Sequence, residues 1–229
     1  MNQMVVESIV LRRTDYGEAD RILSLICADI GKVSTMAKGV RKMKSKLAGG
    51  IELLAVNEVT LIKGKSDFYT LRSARMKRSF SSILETYERS QQAFSALKQV
   101  SKLVEEGEGA TFYPAIKVYL GSLDDGLDLE LADLWWNLRL LTLLGHKPNL
   151  DTDTEGNALS VQKKYVFIPD SGCFGLAGDN SKFAVGSEVI KLWRLALQLE
   201  PMSLMNIKRG NNLASSHLEP LKLFATSYI

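Results

Sequence analysis

Val5-Val6-Glu7-Ser8-Ile9-Val10-Leu11 decides the fold of this chain. Its β-branched residues suit a pleated surface, and the run ends at the turn-forming triplet Asp15-Tyr16-Gly17. Ile22-Leu23-Ser24-Leu25-Ile26-Cys27 follows and stops at Asp29-Ile30-Gly31, a hairpin signal. A third strand is expected over 33–40, broken by Gly39, and a fourth over 52–62. The turn Lys63-Gly64-Lys65-Ser66-Asp67 then leads into a fifth over 68–74. Five short antiparallel strands before residue 80 point to a small closed or nearly closed barrel.

After Lys77 the period changes. Phe80, Ile83, Leu84, Tyr87, Phe94, Leu97, Val100, Leu103 and Val104 recur at helical spacing over 79–106, and Gly107-Glu108-Gly109 ends the run. The same periodicity marks 113–123, 127–144, 187–199, 203–208 and 213–227, with Pro201 and Pro220 as punctuation. Between 145 and 186 lies a segment rich in Asp, Asn, Ser and Gly with one credible strand, Tyr165-Val166-Phe167-Ile168. The expected organisation is α+β: a barrel domain over 1–79, then a helical domain over 80–229 that carries 145–186 as an irregular insert. The adjacent Trp135 and Trp136 cannot share one helix face, so one is expected in the core and the other half-exposed.

Charge is distributed unevenly over these two parts. Residues 1–80 hold fifteen Lys and Arg against eight Asp and Glu; residues 81–229 hold fourteen against eighteen. The net charge of +3 therefore hides a basic front joined to an acidic remainder. The densest stretch is 31–47, with Lys32, Lys38, Arg41, Lys42, Lys44 and Lys46 and no acid. Like charges so close repel, and such a cluster suits a polyanionic partner whose phosphates release condensed counterions on contact. Among small barrels the OB-fold is the commonest that binds nucleic acid. The candidate nucleic-acid residues are Lys38, Arg41, Lys42, Lys44 and Lys46 on a flexible loop, with Lys32, Lys63 and Arg72 extending the track. Front-segment aromatics are few, and Tyr16 beside Gly17 reads as a turn-packing residue.

Other chemistry is not marked. Two histidines, His146 and His217, stand far apart, and no phosphate-cradle or calcium-loop spacing occurs. No enzyme activity and no cofactor are expected. Two cysteines, Cys27 and Cys173, fit a reducing compartment rather than a disulfide scaffold. The start Met1-Asn2-Gln3-Met4-Val5-Val6-Glu7 lacks a basic n-region, and Asp133 and Arg139 break the most apolar stretch. The expectation is a cytoplasmic, nucleoid-associated protein that does not engage a membrane.

Several of these segments, taken in order, resemble a known family. Val10-Leu11-Arg12-Arg13-Thr14-Asp15-Tyr16-Gly17-Glu18-Ala19-Asp20-Arg21-Ile22-Leu23, then Gly31-Lys32, Ala37-Lys38-Gly39-Val40-Arg41 and Ser45-Lys46-Leu47, are similar to the front domain of the RecO family of bacterial recombination mediators. Leu71-Arg72-Ser73-Ala74 resembles that domain's last strand, and His217-Leu218-Glu219-Pro220-Leu221-Lys222 the family's C-terminal helix. The resemblance implies an N-terminal OB-fold on a helical domain. It also implies binding of single- and double-stranded DNA, annealing of complementary strands, and help in loading RecA onto single strands coated by the single-stranded DNA-binding protein SSB. The partners it implies are RecR and the acidic tail of SSB. That tail needs an apolar groove with one or two cations, for which Lys98, Lys102, Lys117 and Arg139 qualify by residue type.

Many members of that family carry two Cys-x-x-Cys pairs that bind zinc. Here the frame persists as Pro148-Asn149-Leu150-Asp151 and Ser171-Gly172, but the thiolate positions hold Asp153, Gly156, Gly175 and Gly178. A structural zinc needs four ligands. No zinc is expected, and Tyr165, Phe167 and Phe174 are expected to hold the insert by packing. Two other readings fit the same residues: an RNA-binding OB-fold protein, and a non-catalytic interaction scaffold whose basic loop meets an acidic partner.

Overall fold

The computed structural model describes residues 2–64, 68–178, 181, 184–215 and 218–228. Five strands form a closed barrel: β1 (Asn2–Tyr16), β2 (Asp20–Cys27), β3 (Gly31–Ala37), β4 (Ala55–Lys63) and β5 (Tyr69–Ser79). They run β1-β2-β3-β5-β4 around the barrel, antiparallel except where β3 meets β5 at Thr35–Tyr69 and Met36–Thr70. The third strand starts and ends earlier than its sequence pattern suggests, the fourth starts later, and the first and fifth run further. Residues 65–67 of the expected turn before β5 lie outside the described residues.

Alternation explains the closure. On β3, Gly31, Val33, Thr35 and Ala37 are buried while Lys32, Ser34 and Met36 between them are partly exposed. Val6, Val10, Leu23, Leu25, Cys27, Val33, Val59, Leu61 and Leu71 fill the interior. Cys27 is fully buried, and burial pushes its thiol up to about 12, with Asp29 adding to the effect. Bulges let the strands curl: β5 skips a residue between Leu71, paired with Leu61, and Ser73, paired with Thr60.

The opposite face of β1 and β2 is also covered. Ile9 and Ile26 pair across the strands and are both fully buried. Against these strands pack α1 (Tyr87–Leu103) and α2 (Phe112–Asp124). Glu7 of β1 accepts hydrogen bonds from Lys117 Nζ at 2.9 Å and Tyr113 Oη at 2.8 Å. The Lys117 bond, then the Tyr113 bond, holds the Glu7 carboxyl below its usual range. Burial first, then Glu7, pushes the Tyr113 phenol up. The helical run expected over 79–106 begins as a 3-10 turn, Ser81–Glu85, before Thr86 caps α1. The first compact unit thus reaches from the barrel through both helices to Asp124, and the second covers Asp125–Ile229.

In the second unit α3 (Leu129–Leu143) is capped by Asp128, whose carboxylate accepts from the amides of Glu130 and Leu131. Around it pack α4 (Ser187–Gln198), α5 (Gly210–Ser215) and α6 (Leu218–Thr226). With neighbours on several sides, α3 buries both Trp135 and Trp136 at 2% exposure, so neither is the half-exposed partner expected. Trp135 Nε1 donates to Leu199 O at 3.0 Å. The segment expected as a helix over 203–208 is a 3-10 turn, Pro201–Asn206. Within the run 213–227, α5 ends at Ser215 and α6 starts at Leu218, residues 216–217 lying outside the described residues. Pro220 sits in the first turn of α6, where its missing N–H costs nothing.

The insert contains a hairpin, β6 (Tyr165–Ile168) with β7 (Cys173–Leu176). Cys173 and Gly175 disguise the second strand in the sequence. Tyr165, Phe167 and Phe174 are buried as expected, and the ring of Phe167 also meets Trp193 at 5.2 Å and Phe224 at 5.6 Å. Gly172, at φ +62°, turns the hairpin where a Cβ would lie 2.8 Å from the Phe224 ring.

The four positions at which the resemblance would place zinc ligands do not fit a metal. Asp153 is 4% exposed and its Oδ1 accepts from the amides of Glu155 at 3.0 Å and Asn157 at 2.8 Å. Burial would push its carboxyl up, but these backbone bonds outweigh that and hold it low. A Cβ on Gly175 would meet Ile168 Cδ1 at 2.8 Å, and Gly156 sits at φ +85°. One committed carboxylate and three glycines make no tetrahedral donor set.

Candidate nucleic-acid interface

The basic stretch between β3 and β4 is built as consecutive turns. Gly39, at φ +64°, donates its amide to Asp20 Oδ1 at 2.7 Å. Val40 is buried, and the next amide, of Arg41, bonds to Ala19 O at 2.9 Å. Lys42 N then bonds to Gly39 O, Ser45 N to Lys42 O at 2.9 Å, and Gly50 N to Leu47 O. Ser45 Oγ accepts from Leu47 N at 3.3 Å. Gly50 lies so close to β5 that a Cβ there would fall 2.4 Å from the Ala74 carbonyl carbon. The expected flexible loop is therefore a braced one, pinned to the β1–β2 turn at one end and to β5 at the other.

This bracing spends backbone groups and spares the cations. Lys38, Arg41, Lys42, Lys44 and Lys46 are all exposed. Arg41 alone leans back, with Nη1 3.4 Å from Gly17 O and 3.6 Å from Asp15 Oδ2. Asp15 is held below the usual carboxylate range by its 2.7 Å hydrogen bond from Arg21, with Arg41 and Arg13 adding to it. Arg72 is the unpaired residue of the β5 bulge and is exposed. Two residues past the Met36–Thr70 bridge, β3's chain reaches Lys38 and β5 reaches Arg72. Lys63 is exposed at the end of β4, its ammonium 5.7 Å over the Tyr69 ring.

Lys32 does not join them. Its Nζ donates to Ser101 O and Val104 O, both at 2.8 Å, and so satisfies carbonyls at the C-terminus of α1. Its backbone pairs with the segment after that helix, through Lys32 N to Glu108 O and Gly107 N to Lys32 O. Residue type drew Lys32 into the track; its partners, seventy positions away in sequence, take it out. Tyr16 also departs from expectation: it is 55% exposed at the end of β1 rather than packed into the turn.

The second unit has an open groove of about 520 Å³ with apolar walls from Leu192, Leu195, Ile207 and Leu213, cations from Lys191, Lys208 and Arg209, and one acid, Glu188. None of the four cations chosen by residue type lines it. Lys117 is bound to Glu7, Arg139 lies 5.0 Å over the Trp135 ring, and Lys98 and Lys102 are exposed on α1. The amphipathic pattern of α4, with Lys191 beside Leu192 and Leu195, was the available signal for this groove.

A closed five-stranded barrel of OB order, with a braced basic loop at one end, defines the class: an OB-fold protein carrying a cationic surface. The family description "Recombination protein O N terminal" matches residues 1–80. A protein of Dehalococcoides mccartyi (strain CBDB1) named DNA repair protein RecO is 37% identical over 145 residues, which cover 63% of this chain and 57% of that relative's length. Proteins of the same name from Heliobacterium modesticaldum and Bacillus cytotoxicus are 30% and 31% identical, covering 90% and 88% of this chain and 78% and 82% of theirs. The chain belongs to the RecO family.

Proposed function

We propose that this chain is a non-catalytic DNA-binding protein of recombinational repair. On this reading it binds single- and double-stranded DNA, anneals complementary strands and helps load RecA onto SSB-coated single strands. The observation that carries the reading is the set of five exposed cations, Lys38, Arg41, Lys42, Lys44 and Lys46, displayed on turns whose own backbone bonds are internal. Such an array offers point charges to phosphates and no fixed donor–acceptor pattern to base edges, so it screens strands without reading them. Family membership and the relatives' name support the repair role. Lys63 and Arg72 extend the track along the barrel. The place of work that follows is the nucleoid, in the cytoplasm.

The groove in the second unit supports docking of the acidic, apolar-ended SSB tail, with Lys191, Lys208 and Arg209 facing its carboxylates. RecR is the further partner on this reading.

Five neutralised phosphates on a single strand predict a slope of about −3.5 for log K against log[salt]. The deciding experiment is annealing of complementary SSB-coated DNA, with binding to single strands, duplex and RNA compared at one salt concentration. Acceleration of annealing with salt-sensitive DNA binding supports the reading. Tighter binding to RNA without annealing, or no nucleic-acid binding at moderate salt, refutes it.

A further inference from the structure

A track made of cations alone has a consequence for strand preference. Duplex carries one phosphate per ~1.7 Å of axis and a single strand about half that density, so point charges by themselves favour duplex. Unpaired bases add something duplex hides: apolar faces open to stacking. Among the described residues, Tyr16 and Met43 are exposed apolar side chains beside the basic loop. Tyr16 is 55% exposed at the end of β1, between Asp15 and Gly17, both of which Arg41 approaches. Met43 is 105% exposed. It occupies the apex of the turn closed by Ser45 N to Lys42 O, with Lys42 on one side and Lys44 on the other.

We propose that Tyr16 and Met43 are the specificity-determining residues for single strands, contacting base faces while the flanking cations hold phosphates. This rests on the DNA-binding reading above. The arrangement suits the chemistry in three respects. The phenol ring offers a stacking platform, and a thioether is a polarizable, unbranched group that adapts to any base. Arg41 approaches the residues on both sides of Tyr16 and precedes Met43 by two positions, so a phosphate held by Arg41 lies near both. Contact through the base faces leaves the pairing edges open, which an annealing surface requires if a complementary strand is to be received.

The test compares the full chain with Tyr16→Ala, Met43→Ala and the double variant, each checked for an unchanged thermal midpoint. Affinity for single-stranded DNA is measured against duplex of the same length, across salt. Tyr16→Ala is expected to weaken single-strand binding about tenfold and Met43→Ala about threefold, with duplex affinity and both salt slopes unchanged. Tyr16→Phe should retain wild-type binding. Oligonucleotides with 2-aminopurine should change emission on binding the wild type and not the double variant. If the double variant loses single-strand and duplex affinity equally, or neither, while Lys44→Ala still flattens the salt slope, this proposal falls and the phosphate reading stands. If the wild type shows no salt-sensitive DNA binding, both fall.

Discussion

The basic loop at 38–47 and the acidic turn at 151–157 are made with the same devices and end as opposites. Each has a left-handed glycine, Gly39 at φ +64° and Gly156 at φ +85°. In each, side-chain oxygens accept backbone amides: Asp20 and Ser45 in the first, Asn149 and Asp153 in the second. In the loop, the acceptors are a neighbouring strand's carboxylate and a serine, so every lysine is left free to face solvent. In the turn, an acceptor is the segment's own Asp153, whose side chain is buried while residues 154–157 around it stay exposed. Irregular backbone displays its charges or withdraws them from solvent according to which side chains its hydrogen bonds consume.

That contrast can be broken most forcefully from the core side. Phe174→Ala removes a fully buried ring in contact with Phe167 and Trp193 and is expected to cost ~3–5 kcal/mol in chemical denaturation, with the salt slope of DNA binding intact. A loss of DNA affinity in the still-folded variant would show the two regions to be coupled. Lys32→Met is expected to cost about 1–3 kcal/mol, because carbonyls at the end of α1 lose a charged donor. Its salt slope should match the wild type; a flatter one would return Lys32 to the phosphate track.

Asp153 sharpens the comparison through pH. Its folded carboxyl lies below the unfolded value, so its contribution is full above about pH 4 and is lost as pH falls through the folded value. Asp153→Asn should lower the thermal midpoint near neutrality and reduce the acid dependence that the wild type shows, while chelator moves neither. A chelator-induced fall in the wild-type midpoint would contradict a carboxylate-braced turn. Lys44→Ala, the mildest change, should leave stability within ±0.5 kcal/mol and flatten the salt slope by ~0.7 to 1 for every DNA sequence.

Much of this was legible in the residues, and the exceptions share a cause. Strand alternation and loop charge are local properties, so the barrel and the presence of an exposed cationic loop could be read directly. β7 could not, because Gly175 has no side chain to pack and its strand character comes from pairing with Val166. The Trp135–Trp136 pair and Tyr16 were misread for the same reason: what covers a residue, or fails to, is decided by elements distant in sequence. Lys32 carries the same charge as Lys38 and sits six residues earlier, yet its role is set by carbonyls at 101 and 104.

Cys27 gives the barrel an internal clock. Its thiol is fully buried and raised to about 12, so in the folded state it offers almost no thiolate to an alkylating reagent. Cys173, half-buried in the second unit, can be replaced by serine without touching the barrel's interior. Modification of the remaining thiol would then occur when the strands part, and its rate would time the barrel's opening with and without DNA on the loop.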